Sequence, residues 1–224
     1  MENDTIDTNE KFSKKLDKYL SKQFGKESSV LKTFSFDNQQ IQIIKFASTK
    51  KRDYQILATK GLSSFKMNVP QKAAKLKLDR AELVIRVPKD WNFTENNSEI
   101  STNKNWQVNA LQESALLPLQ ENSWLHWSKI MPNGNFQPYS QNTKLCGSIL
   151  IKPIFLKRGA EFCKLSKTDD INFYELLPLY KEEIEFYEKN NAEKLLTKLG
   201  GYIVLPPDEN RMNICADDED AATE

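Results

Sequence analysis

Tyr54-Gln55-Ile56-Leu57-Ala58-Thr59-Lys60-Gly61-Leu62-Ser63 is the stretch on which the fold turns. β-branched, aromatic and apolar residues from Tyr54 to Thr59 predict a strand. Gly61 stops it, because glycine turns a chain where a side chain would clash. Upstream, Val30–Phe36 and Ile41–Ala47 read as two more strands, joined through Asp37-Asn38-Gln39-Gln40 as a hairpin with a short polar turn. Downstream, Ala81–Val87 alternates, with Leu83, Ile85 and Val87 on one face and Glu82, Val84 and Arg86 on the other; Pro88 ends it. Ahead of these strands, Phe12, Leu16, Tyr19, Leu20 and Phe24 recur at helical spacing. Asp7 with Glu10 predicts the start of that helix and Gly25 its end, and the apolar stripe should lie flat on a sheet.

The second half is less regular. Residues 92–105, rich in Asn, Ser, Thr and Glu, read as an exposed loop. Trp106–Leu119 predicts a helix that Pro118 ends or kinks. Residues 131–143 hold Pro132, Asn133-Gly134 and Pro138 and read as a turn-rich loop, followed by a long strand over Leu145–Phe155 interrupted by Pro153. Pro178 suits a first helical position, with Tyr180, Ile184 and Tyr187 on one face of the helix it opens. A short helix through Leu195, Leu196 and Leu199 and a final strand over Tyr202–Leu205 complete the pattern. Strands interspersed with helices in uneven order predict an α+β or mixed α/β layered domain. No internal repeat divides the chain. The boundaries read as a flexible N-terminus over residues 1–8, one domain over 9–215, and an acidic, disordered tail over 216–224.

Composition sets the functional classes. A chain of 224 residues with 39% apolar and 28% charged residues has the makeup of one globular domain that needs no metal or disulfide staple. A formal charge of +1 gives no bulk attraction to nucleic acid or membrane. The charge is unevenly spread: residues 45–80 carry ten basic residues against two acidic ones, while Met212–Glu224 carry five acids and no base. Phe46, Tyr54 and Phe65 interleave with the basic stretch, as in single-stranded nucleic-acid binders, yet they fall in or beside apolar strands and read as core. Nucleic acid is therefore not the expected partner. Three cysteines, Cys146, Cys163 and Cys215, are odd in number and lack metal-ligand spacing, so reduced buried thiols are expected. No run reaches the length of a membrane span, and Met1-Glu2-Asn3-Asp4 does not resemble a signal peptide, so the expected location is cytoplasmic.

Catalytic chemistry finds little support. The single histidine, His126, sits in Ser123-Trp124-Leu125-His126-Trp127, without a recognisable nucleophile and orienting partner. Gly61-Leu62-Ser63-Ser64-Phe65 fails as a nucleophile elbow, because Phe65 stands where the second glycine is required. No phosphate-cradling loop, metal signature or cofactor motif is present. Two acids far apart in the chain could still form a glycosidase pair. The acidic features have two readings. Glu182, Glu183, Glu185 and Glu188 on one helix, and Asp217, Asp218, Glu219 and Asp220 in the tail, read either as solvated surface or as an anionic face for a basic partner.

Several segments in order resemble the suppressor of fused family. They are Tyr54–Ser63; Met67-Asn68-Val69-Pro70; Arg80-Ala81-Glu82-Leu83; Pro88-Lys89-Asp90-Trp91; Asn122-Ser123-Trp124-Leu125 with Pro132-Asn133-Gly134; Phe173-Tyr174 with Leu177–Ile184, read as the family's late helix; and Arg211-Met212-Asn213-Ile214. The chain departs from bacterial members that carry Gly-His before the turn at Pro132, since Trp127-Ser128-Lys129 precedes Ile130 here. The resemblance implies a mixed, largely antiparallel β-sheet flanked by helices. Gly61, Met67, Pro70, Glu82, Trp91, Trp124, Pro178 and Arg211 would be structural, with Gly61 turning the chain, Met67 and Trp91 filling the core, Pro70 and Pro88 stopping strands, and Glu82 buried and paired. It also implies a non-enzymatic protein-binding domain without cofactor. Bacterial relatives sit beside secreted toxins, so the implied partner is a toxin domain, possibly a nuclease, with Glu182, Glu185, Asp217, Asp218 and Asp220 as contact residues. The alternative is a regulatory module that captures an extended peptide by strand addition. The oligomeric state is not set by the sequence.

Overall fold

The computed structural model describes residues 2–93 and 104–216, with side chains of the first helix from Lys11 onward. The first helix, α1 (Glu2–Phe24), begins ahead of the expected Asp7 cap and ends at Gly25, whose φ of +93° is the left-handed stop predicted for it. Strands β1 (Glu27–Phe36), β2 (Gln39–Phe46), β3 (Tyr54–Lys60) and β4 (Ala81–Pro88) form an antiparallel meander. Asp37 and Asn38 close the first hairpin alone, both at positive φ (43° and 62°). That conformation matches the right-handed twist of the flanking strands, and Asn and Asp tolerate it.

The second half contains α2 (Trp106–Gln120), β5 (Ile130–Pro132), β6 (Gly147–Ile151), β7 (Phe162–Lys164), β8 (Asp170–Leu179), α3 (Lys181–Lys189) and α4 (Ala192–Leu199). The sheet order is β1-β2-β3-β4-β8-β6-β5, with β7 also pairing β8. Only β4 and β8 run parallel, so the sheet is mixed and mostly antiparallel, as expected. Alternate residues of the strands feed opposite layers. Leu83, Ile85, Val87, Tyr174 and Leu176 pack with Trp106, Val108, Leu111 and Ala115 of α2. Val84 and Phe173 pack with Leu16, Leu20 and Phe24 of α1, while Ile149, Leu177 and Leu179 pack with Ile184, Leu195 and Leu199 of α3 and α4. The three buried cysteines carry no disulfide.

Five expectations are corrected. Pro178 does not open a helix: it pairs with Ser148 inside β8, and α3 starts after Tyr180. β4 borders β8 only as far as Glu175, so the missing N–H of Pro178 interrupts no second ladder. Phe173-Tyr174 with Leu177 likewise belongs to this strand rather than to the late helix. The strand predicted at Leu145–Phe155 is confined to Gly147–Ile151, and Tyr202–Leu205 is no strand, its first residues closing the 3-10 turn Gly200–Ile203. Pro70 stops no strand either; it is exposed and precedes the 3-10 segment Gln71–Leu76, while Pro88 does close β4. Pro118 ends α2 two residues later, at Gln120. The predicted loop at 92–105 falls largely outside the described residues.

Gly61 has φ +109°, and a Cβ there would lie 2.5 Å from the Gln40 carbonyl oxygen of β2. Both the backbone conformation and the close approach exclude a side chain. Gly61→Ala is therefore expected to cost about 2 kcal/mol or more, read as a lowered denaturation midpoint. A midpoint equal to wild type would show that the turn gives way freely.

Candidate functional site

The buried charges hold the scaffold together. Glu82 on β4 is fully buried. Its carboxylate accepts hydrogen bonds from the Thr59 hydroxyl (2.6 Å), the Gly61 amide (3.0 Å), and the amide and hydroxyl of Ser63 (3.1 and 2.7 Å). Burial pushes this carboxyl above its ordinary range, and these four bonds pull in the opposite direction. Ser63, the residue of the failed elbow, is thus a donor to a structural acid. Arg80 donates to the carbonyls of Ser63 and Ser64, closing the same turn.

A second node lies between β8 and the chain's end. Arg211 is bonded to Glu183 of α3 at 2.6 and 2.5 Å and donates to the Pro178 carbonyl at 2.9 Å. Its guanidinium lies over the Tyr180 ring at 5.0 Å, a cation–π contact. A third node joins Arg86 of β4 to Glu175 of β8, both essentially without solvent exposure. Arg86 also donates to the carbonyls of Ile203 and Val204, tying down the segment after α4. Burial pushes the Glu175 carboxyl up to about 6 against the pull of Arg86.

Met67 is buried and its sulfur accepts from the Leu125 amide. Trp91 and Trp124 are half-buried against the layer that holds α2, and Trp91 donates its indole N–H to the Lys104 carbonyl at 2.7 Å. His126 is half-buried beside Trp124, with ring centroids 4.6 Å apart. Part of the basic stretch is tied into the fold: Lys60 pairs with Asp17, Lys66 with Asp79 and Asp169, Lys77 with Asp170, and Arg52 donates to main-chain carbonyls. Phe46 is buried in the layer that holds α1, and Phe65 packs against the layer that holds α2.

Among the candidate contact residues, Glu182 is half-buried and accepts from Asn213 at 2.7 Å, while Glu185 pairs with Lys181 at 3.4 Å. Asp217, Asp218 and Asp220 lie outside the described residues. Glu188, read from the sequence as one acid of this helix, borders a cleft of about 480 Å3 at the α3–α4 junction. Sequence reading missed its neighbours there, Glu193, Tyr187 and Trp127, which is 40% exposed. It also missed Glu175, because the strand that carries it went unread, and it mentioned Glu183 only as one acid of a surface. An isolated acid within an apolar run, as in Tyr174-Glu175-Leu176-Leu177, is the signal that could have found the first.

A mixed, mostly antiparallel sheet packed by helices on both faces and pinned by buried ion pairs is the frame these residues build. The chain belongs to the suppressor of fused family, whose model matches residues 37–211. Solved structures agree on the fold. A suppressor of fused homologue from Neisseria gonorrhoeae superposes with a TM-score of 0.62 at 14% identity, over 91% of this chain and 96% of that one. A chain of the Sufu–Fu complex gives 0.57 at 14% identity, covering 90% of each. Drosophila Suppressor of Fused gives 0.55 at 15% identity, over 90% of this chain and 50% of that one. A comparison with curated proteins finds no match. No helix among the described residues is long and apolar enough to cross a membrane.

Proposed function

We propose that this chain is a non-enzymatic, cytoplasmic protein-binding domain that acts as an immunity protein, neutralising a cognate toxin domain by occluding it. Family membership supports the binding role, because a structural neighbour is solved as the Sufu–Fu complex. The observation that carries the choice of surface is the anionic side of α3 and α4. Glu182, Glu185 and Glu188 recur at three-residue spacing and so share one side of α3, and Glu193 opens α4 beside Trp127 and Tyr187. Aromatic anchors ringed by charge are how protein interfaces combine affinity with orientation. A nuclease presents a basic groove for phosphate, which such a face complements. Asp217, Asp218 and Asp220 would extend the negative field. Neither cofactor nor metal enters this reading.

Co-expression with a candidate toxin tests it: the wild-type chain restores growth. The triple variant Glu185→Lys, Glu188→Lys, Glu193→Lys is expected to lose protection and to associate about ten-fold more slowly at low salt. Unchanged protection and association rate would move the interface elsewhere. One observation favours strand addition as a second reading: β1 is ten residues long and, among the described strands, pairs only with β2, leaving an outer edge on which Val30 is 43% exposed. Capture of a short extended peptide, insensitive to salt, would select that reading.

A further inference from the structure

The 3-10 segment Gln71–Leu76, between β3 and β4, is a cationic patch. From Val69 to Leu78 the chain carries Lys72, Lys75 and Lys77 and no acid. Lys77 is committed to Asp170, whereas Lys72 and Lys75 are exposed and make no ion pair among the described residues. Leu76 beside them is 65% exposed. This patch is fastened to the loop after α2: the Asn68 amide donates to the Ser123 carbonyl at 3.3 Å, and the Leu125 amide to the Met67 sulfur at 3.4 Å. Leu78 and Trp127 line one shared hollow, to which Lys152 and Glu161 add one charge of each sign and so no net charge. Trp127 also borders the cleft at the α3–α4 junction, whose lining holds Glu188 and Glu193 and no cation. Both acids are exposed, and neither makes an ion pair among the described residues. Lys194 bonds the Asn190 side chain at 3.2 Å and does not line the cleft. One face thus carries two unneutralised cations and two unneutralised anions, with the exposed Trp127 and Leu76 among them.

We propose that this face is a dimerisation surface occupied by a second copy of this chain. A partner of one charge sign would fit only half of it. The surface that complements a cationic patch beside an anionic one is the same surface turned through a half-rotation, which is the geometry of a two-fold dimer. With the axis near Trp127, Lys72 and Lys75 of each copy meet Glu188 and Glu193 of the other, and the contact covers Trp127 and Leu76 on both. The inference does not depend on the toxin reading, since it concerns the chain alone. The two are linked in one respect: the dimer covers the acidic cleft, so a second copy and a toxin domain would exclude each other there.

Sedimentation velocity of the full-length chain tests this. A dimer is expected at about 50 mM salt that weakens at about 500 mM, as screened charge pairs do. The double variants Lys72→Glu, Lys75→Glu and Glu188→Lys, Glu193→Lys should each raise the dimer dissociation constant about ten-fold or more. Their side chains are exposed, so circular dichroism should show both variants folded as wild type. Mixed in equal amounts, the two variants should pair again, because an all-acidic face then meets an all-basic one. The chain carrying all four substitutions, with both signs exchanged, should also dimerise. A wild-type chain that stays monomeric up to about 100 μM at low salt overturns the proposal. So does a dimer that neither double variant weakens, or two monomeric variants that fail to pair on mixing. Growth beyond the dimer with rising concentration would overturn the two-fold arrangement, since only a head-to-tail contact continues.

Discussion

Glu183→Ala is expected to destabilise the domain by about 3–5 kcal/mol, because it leaves a buried guanidinium without its counter-charge. Glu183 has no exposed side-chain surface and Arg211 only 5%. The carboxylate also accepts the amides of Tyr180 (3.0 Å) and Ile214 (3.2 Å), so it caps α3 and anchors the chain's last described turn at once. Removing it strands Arg211, two backbone donors and the helix start together. Arg211→Ala should cost a similar amount, since the orphaned group is then the carboxylate and the Pro178 carbonyl loses its donor. The double variant Glu183→Leu, Arg211→Met separates pairing from packing: if desolvation of the ions offsets much of their attraction, it will be more stable than either single alanine variant. Urea denaturation of the four proteins measures this. Single variants within 1 kcal/mol of wild type would show that water reaches the pair.

This node explains how much of the fold was legible in the sequence. The first hairpin, β3, β4 and α1 were readable because each has either one apolar stripe or turn residues at its ends, such as Asp37-Asn38, Gly25 and Gly61. β8 was not. It is the strand that joins both halves of the sheet, buried on both faces beyond its first residues, so its residues do not alternate in polarity. Its proline also mimicked a helix start. The family resemblance located Arg211 and Pro178 without revealing that they touch, because a contact between residues 33 positions apart depends on where the strand ends. The candidate contact surface was legible only as charge. Glu182 and Glu185 are already engaged within the fold, and the aromatic neighbours Trp127 and Tyr187 join them through tertiary packing that no local pattern encodes.

Glu82 was anticipated as a buried fold determinant, and its surroundings make an experiment possible that separates charge from shape. Glu82→Ala should lose about 4 kcal/mol, from a cavity plus donors left without acceptors around Gly61 and Ser63. Glu82→Gln should lose about 1 kcal/mol or less near neutral pH. Its amide oxygen can still accept from Gly61 and Ser63, and its amide nitrogen can donate to the Thr59 hydroxyl oxygen. That hydroxyl can turn toward the Leu83 carbonyl, 3.5 Å away, while still accepting from the Leu83 amide. The acid itself fits the same pattern when protonated. No cation pairs with it among the described residues, so burial holds its folded pKa above the ordinary 4.5. The sign follows from linkage: the folded state binds the proton more tightly than the unfolded chain, so the stabilisation is complete below pH 4.5 and is lost as pH rises through the folded value. Wild type minus Glu82→Gln isolates this group from every other titrating residue. The stability difference should therefore favour wild type most at acid pH and shrink on the way to neutrality. A difference that is flat with pH, or that grows toward neutrality, would mean that the four hydrogen bonds outweigh desolvation and that Glu82 is held as a carboxylate more firmly than water would hold it.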